Sequence, residues 1–263
     1  MMQDDPIVIT GAARTPIGGF QGCLAPVPAP ELGSAAIAAA LERSTVTPES
    51  IEEVLMGCVL PAGLRQAPAR QAALGAGLPL GAPCTTINKM CGSGMKAVML
   101  AHDHILAGSG RIAIAGGLES MSNAPYLLPK ARGGYRLGNG ELLDHMFVDG
   151  LEDAYEPGKL MGNFAEDCAA RYNFSRKDQD DFAIESLTRA TEAIENGAFR
   201  DEIISVSVNT RKETMKVDTD EQPLAANIEK IPYLKPAFQK DGTVTPANSS
   251  SISDGAAALV MMK

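Results

Sequence analysis

The feature that most limits the folds open to this chain is a regular alternation of short apolar runs with helical patterns over residues 6–115. Pro6 to Thr10 reads as a short buried strand ended by Gly11. Glu31 to Arg43 reads as an Ala-rich helix with Pro30 at its start. Thr47-Pro48-Glu49 has the form of an N-cap followed by a first-turn proline. Val54–Val59 predicts a second strand, Ala67–Leu74 a second helix and Cys84–Ile87 a third strand. A third helix runs to Gly108-Ser109-Gly110, and Arg111–Ala115 predicts a fourth strand. Short loops between alternating strands and helices imply an α/β fold, a sheet flanked by helices on both faces. The final run, Ala256–Met262 after Asp254-Gly255, predicts a strand that rejoins the first sheet.

Between these parts the pattern changes. Ser122 to Asp149 is rich in Gly, Pro and charge and has weak periodicity. Ser175 and Asp178 form a capping-box pattern opening a helix, with Phe182, Leu187, Ala190 and Ile194 on one side and Gly197 as its stop. Glu202–Val208 predicts a strand that returns as a hairpin over Thr210–Val217. This middle reads as an insertion on the sheet, dividing the chain into 1–120, 121–250 and 251–263. No repeat of 20–50 residues is present.

Apolar residues make up 45% of the 263, with no Trp and only 5% aromatics, so Ala, the aliphatics and 12 Met must fill the core. A net charge of -9 argues against a general nucleic-acid surface. Five cysteines at 23, 58, 84, 91 and 168, with no Cys-x-x-Cys, predict neither a disulfide framework nor a metal site. The acidic start, Met1 to Pro6, lacks the apolar core of a secretory signal. No run of 18 apolar residues occurs, so no membrane span is expected. A reducing cytoplasm is the expected location.

Cys91 is the chemically pointed residue. It stands on the turn between the third strand and the third helix, whose Met95, Val98 and Met99 share one face. A helix start presents unpaired N–H groups and a partial positive charge, which favour a thiolate. Gly92 and Gly94 leave backbone open beside the sulfur for a bulky substrate. The competing reading from spacing alone is an inert buried cysteine.

Asn88-Lys89-Met90-Cys91-Gly92-Ser93-Gly94-Met95-Lys96-Ala97 resembles the nucleophile motif of the thiolase family. Three further segments are similar to that family in its order: Arg14 to Phe20, Ala115 to Ser122 and Asn248 to Ala257. The resemblance runs from about Ile7 to the last residue. It implies an N-terminal α/β half (1–120 with 251–263), an inserted loop domain (121–250), and a similar C-terminal half beginning where this sequence stops.

The resemblance further implies an acyltransferase. Cys91 would carry the acyl group as a thioester in acetyl-CoA C-acetyl transfer, the reversible condensation and thiolysis of short 3-ketoacyl-CoA. Its backbone N–H would serve as an oxyanion donor. Coenzyme A and acetyl-CoA would be substrates, with no covalently bound cofactor. Carried over residue by residue, the CoA contacts would be Leu151, Met161, Lys230, Phe238 and Ser250. Met161 and Phe238 read equally well as packing residues. Leu160 stands where many relatives carry His, and Ser251 and Ser253 replace the more usual Gly and Asn. Lys130–Gly138 is similar to the loop through which family members form tetramers, so a homo-oligomer is implied.

The family's base, a His before Pro, and its second catalytic Cys, in Cys-x-Gly-Gly, belong to the C-terminal half. None of His102, His104 and His145 precedes Pro, and no Cys follows Cys168. That half is expected in the same or another chain. Two alternatives accompany this reading: a longer-chain 3-ketoacyl-CoA thiolase of fatty-acid β-oxidation, and a non-catalytic CoA-binding fragment. A ketoacyl synthase relative is disfavoured by the Asn248–Ala257 motif. Glu119 and Asp180-Asp181 read as solvated or structural.

Overall fold

The computed structural model describes residues 5–210 and 213–263. The first four residues of the acidic start, and Arg211 and Lys212 in the expected hairpin return, lie outside the described residues. In chain order the first part holds β1 (Val8–Arg14), β2 (Gly18–Gly19), α1 (Ala29–Ser44), β3 (Glu53–Gly57), α2 (Pro68–Gly75), β4 (Cys84–Ile87), α3 (Ser93–Leu106) and β5 (Ile112–Ser120). There follow β6 (Tyr126–Leu127), β7 (Leu143–Asp144), α4 (Met161–Tyr172), α5 (Arg176–Glu195), the hairpin β8 (Val206–Asn209) and β9 (Thr214–Val217), α6 (Glu221–Ala225) and β10 (Ser253–Met262).

The main sheet is mixed, in the order β1-β10-β5-β3-β4. β3 runs parallel to β4 and β5, as strand–helix–strand units require. β10 inserts antiparallel between β1 and β5, so the last strand of the chain closes a sheet begun at the first. Alternate residues face opposite sides. Val54, Met56, Ile114 and Val260 point to one side with Leu32, Ala36 and Ile37 of α1 and Ala69 and Ala72 of α2. Leu55, Ala113, Ala115 and Met261 point to the other with Ala97, Ala101 and Ile105 of α3.

Several boundaries moved for identifiable reasons. β1 does not stop at Gly11; it passes through a register shift there and continues to Arg14. A Cβ on Gly11 would overlap the Ala40 carbonyl of α1, so the glycine admits a helix rather than ending a strand. Val8 and Ile9 are exposed, 42% and 55%, because β1 is an edge strand. β5 runs five residues past Ala115, and its Gly116 lies where a Cβ would overlap the Ala257 carbonyl of β10. On α3, Met95 and Met99 turn outward and Val98 is partly buried, while Ser93, Ala97, Ala101 and Ile105 turn inward. On α5, Phe182 is exposed and Ala183 buried, one position off the expected face. The Ser175–Asp178 capping box is formed, with Ser175 Oγ accepting from the Asp178 N–H at 3.1 Å.

The segment before α4 is irregular, a short β6–β7 pair and a five-residue π-turn, Phe147–Leu151. Arg14 ties the strand end to the start of α6. Its guanidinium donates two parallel bonds to Asp220, at 2.8 and 2.9 Å, and a third to Glu202. The Gly19 and Cys23 N–H groups donate to Glu221. The sequence stretch Arg14–Cys23 is thus a docking edge for residues 220–221.

Candidate functional site

Cys91 is exposed and lies two residues before the first residue of α3, with Gly92 as the N-cap position. The turn that presents it is tight and fully braced. Met90, a non-glycine, sits in the left-handed region at φ 49, a conformation an L-residue adopts only when its surroundings hold it. The Met90 N–H donates to Asn88 Oδ1 at 3.0 Å. The buried Ser93 hydroxyl accepts from the Lys89 N–H at 2.8 Å and donates to the Met90 carbonyl at 2.6 Å. Asn88 Nδ2 reaches out of the turn to the Val59 carbonyl at 3.3 Å. The roles of Asn88 and Ser93 were not drawn from the sequence. The signal available was an Asn two residues before a position that must be left-handed, the setting of an Asx turn.

The glycines of the motif divide their work. A Cβ on Gly92 would meet only the Lys89 carbonyl at 3.5 Å, so the backbone beside the sulfur is open, as expected. Gly94 instead packs on the sheet: a Cβ on Gly57 would come within 2.7 Å of Gly94 N, and one on Gly117 within 3.6 Å of Gly94 Cα. The helix start is therefore seated backbone against backbone on the carboxyl ends of β3 and β5. Ligands of open α/β sheets bind at such strand ends.

The other cysteines differ. Burial, reinforced by the Glu119 charge, pushes the Cys58 thiol up to about 12. Burial and Glu221 do the same to Cys23. Burial also raises Cys84, and Cys168 is exposed on α4. Glu119 is not solvated: burial raises its carboxyl, and it accepts from the Val59 and Leu60 N–H groups at 2.7 and 3.0 Å. Asp180 is buried, bonded to Arg176 and Asn248, and structural.

The residues named for CoA fall into three places. Lys230, on the turn Ile228–Tyr233, and Ser250 line a cleft of about 840 Å3 between α5 and the segments 222–234 and 246–251, with Phe182 and Leu187 on its α5 wall. Met161 opens α4, and its neighbour Gly162 is covered by Phe238, whose ring a Cβ there would overlap. Asn163 joins the two, accepting from the Leu160 N–H and donating to the Phe238 carbonyl. Leu151, half-buried, ends the π-turn. Cys91 is not among the residues lining the cleft. His102 and His104 lie on α3, roughly 16–20 Å along the axis from Cys91 by helical rise. His145 is buried, its Nδ1 2.7 Å from Asp149.

Comparison with known proteins agrees with this geometry. The family described as "Thiolase, N-terminal domain" matches residues 7–263. An acetyl-CoA acetyltransferase of Pseudomonas aeruginosa is 50% identical over 99% of this chain and 66% of its own length. One from Schizosaccharomyces pombe is 49% identical with the same coverage. Acetyl-CoA acetyltransferase 2 of Arabidopsis thaliana is 51% identical over 97% of this chain and 64% of its own length. The chain thus spans somewhat less than two thirds of these relatives. An exposed cysteine on a braced strand-to-helix turn, in a mixed sheet whose whole described extent falls within the matched family, places this chain in the thiolase family as its N-terminal domain.

Proposed function

We propose that the chain provides the nucleophile and a CoA-binding surface of an acetyl-CoA C-acetyltransferase. The carrying observation is Cys91, exposed at the start of α3 with open backbone beside it. In thiolysis, Cys91 Sγ attacks the keto carbonyl of a short 3-ketoacyl-CoA, and the Cys91 N–H steadies the oxyanion. The bond between the keto carbon and its α-carbon breaks, the acyl group stays on sulfur, and the departing acetyl-CoA carbanion takes up a proton. The thiol of a second CoA then accepts the acyl group and Cys91 leaves as thiolate. Condensation runs the same steps backwards.

The cleft beside Lys230 and Ser250 has the size and the mixed apolar and polar lining that a nucleotide-tailed ligand needs. In this reading Leu151, Met161 and Phe238 flank the pantetheine arm. Residues 121–250 form the CoA-binding and oligomerising unit, and 1–120 with 251–263 form the N-terminal half. Lys130–Leu137 joins copies into a dimer or tetramer. The reaction belongs to cytoplasmic fatty-acid metabolism, and the base comes from the segment that the relatives carry beyond the matched region.

The test is acetyl transfer to Cys91. The chain is incubated with acetyl-CoA and the adduct mapped by mass spectrometry. In parallel, acetoacetyl-CoA thiolysis is followed in this chain and in one extended through the relatives' remaining length. The reading expects an adduct at Cys91 and turnover only in the extended chain. General acid–base help of about 10²–10⁴-fold separates the two. An adduct on another cysteine, or turnover surviving C91A, overturns it.

A further inference from the structure

Glu119 stands outside every role assigned above, yet it occupies one end of an unbroken chain of hydrogen bonds that ends beside Cys91. Its two carboxylate oxygens receive the Val59 N–H at 2.7 Å and the Leu60 N–H at 3.0 Å, and the Cys58 thiol lies 3.7 Å away. The Val59 carbonyl in turn receives Asn88 Nδ2 at 3.3 Å. Asn88 Oδ1 receives the N–H of Met90, the left-handed residue next to Cys91. The far end of the same loop is tied more loosely, by the Ala62 N–H to His145 Nε2 at 3.4 Å. We propose that Glu119 is a positioning residue for the Cys91 nucleophile, acting through the Val59–Leu60 loop and the Asn88 side chain to hold the left-handed turn at Met90.

The chemistry of each link makes the chain specific. Two backbone N–H groups and a thiol converge on Glu119, and only a carboxylate offers acceptors on both oxygens. A glutamine would turn an NH2 toward one of those donors. Asn88 is used from both ends, its amide nitrogen as donor and its oxygen as acceptor. Aspartate would keep the bond to the Met90 N–H but lose the one to Val59. Met90 pays for a conformation that few side chains adopt, so the turn depends on its bracing. A shift of about 1 Å in a reacting group costs about 10²-fold in rate.

The experiment compares E119Q, N88D and the double variant with the parent chain. The first readout is iodoacetamide labelling of Cys91 relative to Cys168, an exposed thiol on α4 that the relay does not touch. Each single variant is expected to lower that ratio about threefold or more, and the double variant to lower it no further, because both cut one line. Multiplying effects, or an unchanged ratio in either single variant, overturn the proposal. Should E119Q open the core, seen as labelling of Cys58, E119D decides in its place, since it keeps a carboxylate but draws it back from the Val59 and Leu60 N–H groups, and an unchanged Cys91 ratio there overturns the proposal. The second readout rests on the proposed function: in the extended enzyme kcat for acetoacetyl-CoA thiolysis should fall about 10–100-fold with KM nearly unchanged. Labelling needs no turnover, so a failed relay and a failed functional reading give different results.

Discussion

The two faces of the main sheet are finished differently. On the α1/α2 face, Leu32, Ala36, Ile37, Val54, Met56 and Val260 are fully buried under two helices. On the other face a single helix, α3, covers Leu55, Ala113 and Ala115 with its alanines and shows the opposite side to solvent. That outer side mixes apolar and charged groups: Met95 is 73% exposed, Met99 51% and Leu106 66%, beside the exposed His102 and Asp103. The apolar spacing of α3 marks a helix face but does not say which side turns to the sheet. Met95, Val98 and Met99 are a sound apolar face, but small residues, Ala97 and Ala101, are what a helix needs to seat its backbone close to the sheet near Gly57 and Gly117. Met95, Met99 and Leu106 are left for the outer side, while Ile105 packs inward.

The sharpest contrast is chemical. Cys58 belongs to the covered face and Cys91 to the open one. A thiol held at about 12 carries, near neutral pH, about 10³-fold less thiolate than a free cysteine. Limited alkylation with peptide mapping should therefore mark Cys91, leave Cys58 and Cys23 untouched, and reach Cys168 as an ordinary surface thiol. Early labelling of Cys58 would show that the covered face opens as readily as the other.

The same contrast should appear in stability. Leu32→Ala or Ile37→Ala removes a side chain from a site with no solvent exposure and is expected to cost about 2–5 kcal/mol in urea unfolding. Met95→Ala or Met99→Ala should fall within about 0.5 kcal/mol of the parent. Equal costs would mean that α3's outer side is packed in solution, by a second copy or another partner. Light scattering of the parent against M95K/M99K would then identify self-association.

Gly57→Ala tests how α3 is seated. Its Cβ would stand 2.7 Å from Gly94 N and from Ser93, both backbone-fixed, so the helix start must lift. Overpacking of this kind costs about 1–3 kcal/mol. Because Ser93 braces the Cys91 turn, Cys91 labelling should change with it. An unchanged labelling rate with lowered stability would separate seating from presentation.

Legibility followed the range of the interactions. Cys84–Ile87 was read to the residue, and the Cys91 turn was found, because strand run, turn and helix start lie within about fifteen consecutive residues. The return of β10 was legible from one apolar run, although its place between β1 and β5 is set by pairings across more than a hundred residues. The cleft at Lys230 and Ser250 was not legible as a shape. It is assembled from α5 and two irregular segments, and its α5 wall, lined by both the exposed Phe182 and the buried Ala183, depends on how that helix is turned. For Glu119 the sequence leaves solvated and structural roles both open, because nothing beside it reveals its partners, Val59 and Leu60, at the exit of the neighbouring strand β3; the structure shows the structural one.

Acid should sharpen the comparison further, because the edge that carries residues 220–221 is held by charge where the covered face is held by apolar burial. Burial alone would raise the Asp220 carboxyl, but the Arg14 guanidinium and the Ile17 N–H outweigh it and hold the group below the usual carboxylate range. Glu221 is likewise held low: burial is outweighed by the Gly19 and Cys23 N–H groups. A carboxyl lowered by folding binds fewer protons in the native state than in the unfolded one. Its stabilisation is present above the unfolded value, about 3.9 for Asp, and is lost as pH falls through the lower folded value. Wild-type stability should therefore decline as pH drops below about 4. Asp220→Asn, which keeps an acceptor for Ile17 but removes the charge facing Arg14, should lower stability by about 1–2 kcal/mol near neutrality, less than a fully buried pair would cost, since both side chains keep some exposure. It should also flatten, though not abolish, the acid decline, because Glu221 still titrates. Chemical unfolding at a series of pH values reads both effects. An acid limb identical in the variant and the parent would mean that Asp220 does not anchor this edge, and that Arg14 is held chiefly by Glu202 and by the Phe199 ring 5.2 Å away.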